Sequence, residues 1–145
     1  MDAVEMLKAE HKGAKAAMEQ ILRSPTPKIK GLFETLSKEL EAHDRVEELI
    51  FYPAVQSHPK AATFPALDKK AHLEVEAALA KLGKLPVESK EWMPAFKVMQ
   101  EKLLKHIADE ETNYFVAVRA SLNPTELNEL GEKMKGGKKA LVKAA

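Results

Sequence analysis

Two stretches of the sequence repeat one arrangement of chemically active side chains, in which a histidine is followed four residues later by a glutamate. These pairs are His43 with Glu47 and His106 with Glu110. Residues four apart lie on one face of a helix, so each pair can offer a nitrogen and an oxygen to the same point. Iron, manganese and zinc all accept imidazole and carboxylate ligands. The spacing therefore indicates a metal site.

The helices that carry these pairs are otherwise apolar along the same face. The stripe that contains His43 and Glu47 continues through Phe33, Leu36, Leu40 and Ile50 in steps of three and four residues. Burying an unpaired carboxylate costs several kcal/mol, so these two polar side chains need a partner inside the protein. A metal ion is the obvious partner.

Two further histidines, His11 and His72, occupy the same kind of position on two other apolar stripes. A single histidine on such a stripe is usually a hydrogen-bonded core residue, but four on four stripes favour ligation. Six donors, including two carboxylates able to bridge, exceed the needs of one tetrahedral zinc and indicate two metal ions. The predicted metal ligands are His11, His43, Glu47, His72, His106 and Glu110. We predict no catalytic residue beyond them.

Composition excludes several other classes of site and partner. The chain has 145 residues, enough for one domain with a hydrophobic core, and its 23 Lys and Arg nearly balance its 22 Asp and Glu. This balance gives no argument for a nucleic-acid or membrane partner. Without Cys, thiolate ligands and disulfides are excluded. Because we find neither an apolar signal core nor a membrane-length apolar run, we expect a cytoplasmic monomer or weak homodimer.

Helix-forming residues dominate and predict an all-α fold, an up-down-up-down four-helix bundle with a short C-terminal helix. We expect the bundle to occupy residues 1–122, with the short helix and a basic tail in residues 123–145. Asp2 should cap the first helix, and Thr125 should cap the last one, which is expected to end near Lys135. Gly136 and Gly137 are then expected to precede a frayed Lys/Ala tail.

The order of these residues resembles the hemerythrin-like (HHE cation-binding) family over about residues 3–120. The residues that carry the resemblance are His11, His43-Asp-Arg-Val-Glu47, Glu48-Leu-Ile-Phe-Tyr52-Pro53, His72 and His106-Ile-Ala-Asp-Glu110-Glu111. The resemblance implies a four-helix bundle around two non-haem iron ions (Fe²⁺/Fe³⁺) with an oxo or hydroxo bridge. It also implies terminal histidine ligands, bridging glutamates, and a position open to O₂, hydrogen peroxide or NO.

Two departures distinguish this chain from the oxygen-carrying hemerythrins. Their third helix supplies His-x-x-x-His, whereas Asp68 stands at the earlier position here, and their fourth helix has a wider His-to-Asp spacing than His106 to Glu110. One nitrogen donor fewer argues against simple O₂ carriage and favours peroxide decomposition (catalase-like) or redox protection. The alternatives are binding or sensing of O₂, NO or iron without turnover, and a metal-free structural or partner-binding helical bundle.

The vacant position in the ligand set has several candidates. Asp68 and Glu76 each lie one helical turn from His72 and could fill it. A tyrosine phenolate is a competent Fe³⁺ ligand, and of the two tyrosines we prefer Tyr52 to Tyr114. The sequence leaves these candidates open.

Three further polar residues are expected to lie outside the ligand set. Glu48 and Glu111 each directly follow a predicted ligand, so they should point outward or toward the groups that surround the ligands. His58 lies in the loop before Pro59, and we expect it to be solvent-exposed.

Overall fold

The computed structural model describes residues 1–144 and within them contains five helices and no strand, which confirms the all-α prediction. None of these helices combines the length and apolar content that crossing a bilayer requires. The helices are α1 (Ala3–Arg23), α2 (Thr26–Val46, a π-helical turn Glu47–Phe51, then Tyr52–Val55), α3 (Phe64–Lys84), α4 (Trp92–Asp109, a π-helical turn Glu110–Tyr114, then Phe115–Ser121) and α5 (Pro124–Ala144).

Reciprocal side-chain caps define where the first and last helices begin. Asp2 accepts from the backbone N–H of Glu5 at 2.8 Å, and Glu5 accepts from the backbone of Asp2 at 3.2 Å. The same exchange joins Asn123 and Glu126 at the start of α5, at 2.8 and 3.0 Å. The Asp2 cap is therefore confirmed. The prediction of a Thr125 cap is wrong, because the acceptor for the first turn comes from Asn123.

The hydrophobic core has two parts, and the polar residues of interest lie between them. In α1, His11 lies between Leu7, which belongs to one cluster of buried side chains, and Met18, which belongs to the other. In α2, the clusters reach Leu40 and Val46 on either side of His43. The two apolar clusters therefore enclose a polar layer from both ends of the helices.

The C-terminal helix differs most from expectation. It runs for 21 residues, Pro124–Ala144, so the predictions of a short helix and of a frayed tail after residue 135 are wrong. Its residues Leu127, Leu130 and Met134 are buried in the same cluster as the start of α1, and Leu141 packs against that cluster. Burial of this apolar face stabilises α5 enough to keep it helical across its glycines, which are poor helix formers. The domain boundary at residue 122 stays a prediction.

Two glycines of α5 permit close approach to other parts of the chain instead of ending the helix. A Cβ added at Gly131 would lie 2.5 Å from the carbonyl oxygen of Met1 and 2.9 Å from the carbonyl carbon of Asp2. A Cβ at Gly137 would overlap the side chain of Ile50 in the π-helical turn of α2. A Cβ at Gly136 would meet nothing within 4 Å. The last two glycines therefore have different roles, although they are adjacent.

Alanine substitution should separate these roles. Gly136→Ala should raise the free energy of unfolding by about 0.5–1 kcal/mol, because alanine is the better helix former and has open space. Gly131→Ala should lower it by about 1–3 kcal/mol, because backbone atoms of Met1 and Asp2, at the start of α1, must move away. Urea unfolding monitored by circular dichroism measures both changes. Equal effects of the two substitutions would contradict the proposed close approach.

Candidate metal centre

The six predicted ligands all lie in the polar layer between the two core clusters. Each is at most 7% exposed, and both glutamates are at most 2% exposed. Four helices supply them, in the order His11 from α1, His43 and Glu47 from α2, His72 from α3, and His106 and Glu110 from α4. The sequence therefore predicted correctly which side chains meet, while their role as ligands stays a prediction.

The two oxygens of Glu110 face different histidines. Its Oε1 lies 2.9 Å from Nε2 of His11, and its Oε2 lies 3.6 Å from Nε2 of His106. A carboxylate placed in this way can give one oxygen to each of two neighbouring ions. This is the arrangement that a bridging ligand requires.

Glu47 lies between the other two histidines. Its Oε1 is 2.7 Å from Nε2 of His43 and 3.4 Å from Nε2 of His72. The layer thus has two sides, which we call the α1/α2 side, with His11 and His43, and the α3/α4 side, with His72 and His106. The two glutamates lie between these sides.

The inward-facing atoms of this layer lack hydrogen-bond partners within the described residues. They are Nε2 of His11, His43, His72 and His106 and both carboxylate oxygens of Glu47 and Glu110. Each such buried atom costs about 1–3 kcal/mol if nothing satisfies it. Adjacent ligand atoms on an ion with bonds of about 2.1 Å are about 3.0–3.4 Å apart. The observed separations of 2.7, 2.9, 3.4 and 3.6 Å lie within about 0.3 Å of that spacing, so small side-chain adjustments would let these residues hold a metal ion.

Each of the two bridging candidates begins a π-helical turn. The backbone N–H of Tyr52 donates to the carbonyl of Glu47, and that of Phe115 donates to the carbonyl of Glu110, five residues back in each case. Such turns shift the residues that follow around the helix axis and often occur at functional sites. Neither turn was predicted from the sequence. Only Pro53, which interrupts normal helical hydrogen bonding, marks one of them.

Outer carboxylates hold three of the four imidazole rings in place. The contacts run from Nδ1 of His11 to Glu111 at 2.7 Å, from Nδ1 of His43 to Glu10 at 2.8 Å, and from Nδ1 of His72 to Glu48 at 3.0 Å. A carboxylate that accepts from Nδ1–H leaves Nε2 free to bind a metal. The expectation that Glu48 and Glu111 lie around the ligands is confirmed. Glu10, which directly precedes the predicted ligand His11, was not predicted.

Asp68 occupies the place beside His72 that the sequence left open. Its Oδ2 lies 3.3 Å from Nε2 of His72 and accepts a hydrogen bond from the hydroxyl of Tyr52 at 2.5 Å. Burial and the charge of Asp68 raise the pKa of Tyr52 well above its ordinary value, so the phenol keeps its proton. The other candidate, Glu76, lies 3.8 Å from the guanidinium of Arg45. The geometry therefore favours Asp68.

A buried aspartate that the sequence analysis missed, Asp44, also reaches the layer. Its Oδ1 lies 3.4 Å from Nε2 of His72, and its side chain belongs to a cluster with His43 and Glu47. Burial raises the pKa of Asp44 to about 8, although the neighbouring His72 opposes this. Asp44 directly follows His43 and so lies off the stripe on which the prediction rested. His58, expected to be exposed, is instead half-buried.

The protonation of the layer is uneven without a metal. Burial alone would raise the pKa of Glu47, but His43 holds it well below its ordinary value. Burial and the charge of Glu47 raise the pKa of Glu110 well above its ordinary value. Burial alone would lower the pKa of His43, but Glu47 and Glu10 raise it to about 10. Protons therefore balance the buried carboxylates, and a metal ion would displace them.

Two cavities approach the layer from opposite sides. A cavity of about 350 Å³ lies mainly between α1 and α2, with part of α4 in its wall; its surface is largely apolar, and it reaches His11, His43 and His106. A more polar cavity of about 420 Å³ between α3 and α4 reaches Asp68 and Glu110. Small molecules can therefore approach the centre through an apolar or a polar opening.

Comparison with known proteins identifies the family. The hemerythrin HHE cation binding domain model matches residues 2–118. A DNA nickase from Nostoc sp. is 22% identical over 140 residues, which cover 95% of this chain but 39% of the nickase. The uncharacterized protein Rv2633c of Mycobacterium tuberculosis is 28% identical over 137 residues, 92% of this chain and 83% of that protein.

A solved structure supports the same assignment. The crystal structure of an HHE cation binding domain-containing protein, the Rv2633c homolog from Mycobacterium kansasii, superposes with a TM-score of 0.87 at 27% identity. The match covers 97% of this chain and 86% of that one. With residues 2–118 matching the family and the fold shared over nearly its whole length, this chain belongs to the hemerythrin HHE cation-binding domain family.

Proposed function

We propose that this protein binds two non-haem iron ions and decomposes peroxide at them. The observation that carries the proposal is Glu110, which is buried and directs one carboxylate oxygen to each side of the layer. The inward histidine and glutamate atoms without hydrogen-bond partners support it, because two ions would satisfy all of them. We further propose that α1 to α4 form an up-down-up-down bundle, since α1 packs on α2 and α3 on α4.

Each side of the layer offers two histidines and one aspartate. The α3/α4 side has His72 and His106 together with Asp68, and the α1/α2 side has His11 and His43 together with Asp44. Glu47 and Glu110 serve both sides.

The apolar cavity reaches the α1/α2 side of the layer at His11 and His43. We propose that an uncharged small ligand, hydrogen peroxide, O₂ or NO, arrives there.

The chain's own residues would orient and isolate the centre. Glu10, Glu48 and Glu111 hold the Nδ1 protons of three histidines, and Tyr52 keeps its proton on the hydroxyl that donates to Asp68. The two apolar clusters exclude water from above and below the layer. Bound iron would supply the redox chemistry and a position for an exogenous ligand.

The donor set of the layer supports our proposal of peroxide turnover over reversible O₂ carriage. Asp68, an anionic oxygen donor, lies beside His72 where the oxygen carriers have another histidine. Carboxylate donors stabilise ferric iron more than imidazole does, which works against a long-lived ferrous carrier. The absence of Cys also suits a protein that meets peroxide repeatedly.

Metal stoichiometry tests the centre itself. Protein reconstituted anaerobically with Fe²⁺ should hold about two iron ions per chain and unfold at a higher temperature than the metal-free form. Glu110→Ala should lose at least one ion and most of the metal-dependent stabilisation. Asp109→Ala, which removes the adjacent exposed carboxylate, is the matched control and should keep both. If Glu110→Ala lowered the unfolding temperature by the same amount with and without iron, the result would instead indicate a metal-free structural bundle.

Turnover separates the redox function from simple binding. Iron-loaded protein mixed with hydrogen peroxide should evolve O₂ catalytically, and His106→Ala should abolish this activity. An oxygen electrode measures the gas while absorbance follows the iron. A stable, reversible oxy spectrum on mixing the diferrous protein with O₂ would favour carriage or sensing. Oxidation of the iron without turnover would favour binding or sensing of O₂, NO or iron.

Two glycines allow the route through the apolar cavity to be tested. A Cβ at Gly13 or at Gly31 would meet nothing within 4 Å, but only Gly13 lines that cavity. Gly13→Phe should therefore slow NO binding to the diferrous protein several-fold in stopped-flow measurements without changing iron content. Gly31→Phe is the matched control and should bind at the wild-type rate. An unchanged rate in Gly13→Phe would assign entry to the polar cavity.

A further inference from the structure

We propose that Lys138, on the C-terminal helix α5, is a positioning residue for the metal centre that acts through Glu10 on His43. The inference rests on the proposed function, since it concerns how well one histidine is held for metal binding. Its basis is a continuous chain of contacts from the surface of α5 to the buried layer. Lys138 lies beyond residues 2–118, which the family match covers.

The contacts link three helices. Nζ of Lys138 donates to Oε2 of Glu10 at 2.5 Å, and Oε1 of Glu10 contacts Nδ1 of His43 at 2.8 Å. On the inner side of the ring, Nε2 of His43 lies 2.7 Å from Glu47. Each oxygen of Glu10 thus has one partner, the lysine outside and the imidazole inside. The lysine therefore fixes the carboxylate that orients a predicted ligand.

A second outer carboxylate is held in the same way on the other side of the layer. Glu48 contacts Nδ1 of His72 with Oε2 at 3.0 Å and accepts from Arg45 with Oε1 at 2.8 Å. A cation, a carboxylate and an imidazole therefore occur in the same order on both sides. Arg45 lies on the same helix as Glu48, whereas Lys138 comes from a separate helix that must dock correctly. This makes the α1/α2 side dependent on α5.

Lys138 also compensates charge at the mouth of the apolar cavity. It lies 3.4 Å from Oε2 of Glu39 on α2, so it links acidic residues of α1 and α2. The side chains of Glu10 and Lys138 are 18% and 24% exposed, so water screens this pair less than it screens a fully exposed pair. Without the cation, Glu10 and Glu39 would repel each other, and Glu10 would turn toward water. The Nδ1 proton of His43 would then lose its acceptor.

The glycines of α5 explain how the lysine reaches this position. Gly137, the residue before it, lies so close to Ile50 that a side chain there would overlap it. Ile50 belongs to the π-helical turn that begins at Glu47. The close approach therefore brings α5 against the segment that carries a bridging candidate and places Lys138 over Glu10. Docking of α5 and support of His43 are parts of one interface.

Chelator competition for Fe²⁺ under anaerobic conditions tests the inference. Lys138→Met should weaken iron binding by about 10-fold, the usual effect of removing a group that supports a ligand. Lys138→Arg, which retains a cation, should restore most of the affinity. Lys139→Met removes a neighbouring exposed lysine and should bind iron as the wild type does. The thermal unfolding midpoint of metal-free Lys138→Met should fall only slightly, because the lost pair with Glu10 is partly exposed, so a loss of iron affinity of about 10-fold would reflect positioning and not a general loss of stability.

A double-mutant cycle identifies the path of the effect. If Lys138 acts through Glu10, the double variant Lys138→Met with Glu10→Gln should bind iron no more weakly than Glu10→Gln alone. Wild-type affinity in Lys138→Met, or fully additive losses, would overturn the inference while leaving the proposed function intact. A wild-type chain that binds no iron would reject both.

Discussion

The burial of two carboxylates among four imidazoles is the constraint on which the rest of this structure depends. Glu47 and Glu110 are almost completely inaccessible, and their oxygens have no hydrogen-bond donor among the described residues. Such a layer is costly unless protons or metal ions neutralise it. The hydrophobic clusters on either side shield the layer from bulk water at both ends, which strengthens the electrostatic interactions within it. Burial of these charges therefore lowers the stability of the metal-free protein. Binding of a metal ion would remove that cost, so the same burial favours metal binding.

Local backbone structure serves this layer as much as side-chain packing does. Both bridging candidates stand at the start of a π-helical turn, one in α2 and one in α4. A π-helical turn has poorer geometry than an α-helical turn, so tertiary contacts must maintain it. Here the buried aromatic residues that follow, among them Phe51 and Tyr114, pack against each other at 5.4 Å between ring centroids. The two turns are thus coupled through the core.

The C-terminal helix turns a four-helix site into a five-helix assembly. Its apolar face completes one core cluster, and Lys138 reaches the carboxylate that holds His43. Glycine at position 131 makes this possible, because a Cβ there would meet backbone atoms of Met1 and Asp2, whereas a Cβ at Gly137 would require the end of the Ile50 side chain to shift. Packing of α5 and the contact that orients the His43 imidazole are therefore linked through one helix interface.

The sequence alone was sufficient to predict the helical class, the Asp2 cap and the convergence of all six candidate ligands. The helical class and the inward-facing side chains follow from periodicity along single helices, where spacing in the sequence determines which side chains share a face, and the Asp2 cap follows from a local capping pattern. The outer contacts of Glu10 and Lys138, the entry of Asp44 into the layer and the length of α5 depend on how helices lie against one another. Gly136 and Gly137 illustrate the difference. Their intrinsic preference indicates a helix end, but burial of the apolar face of α5 outweighs about 1 kcal/mol per glycine, and only the folded chain supplies that burial.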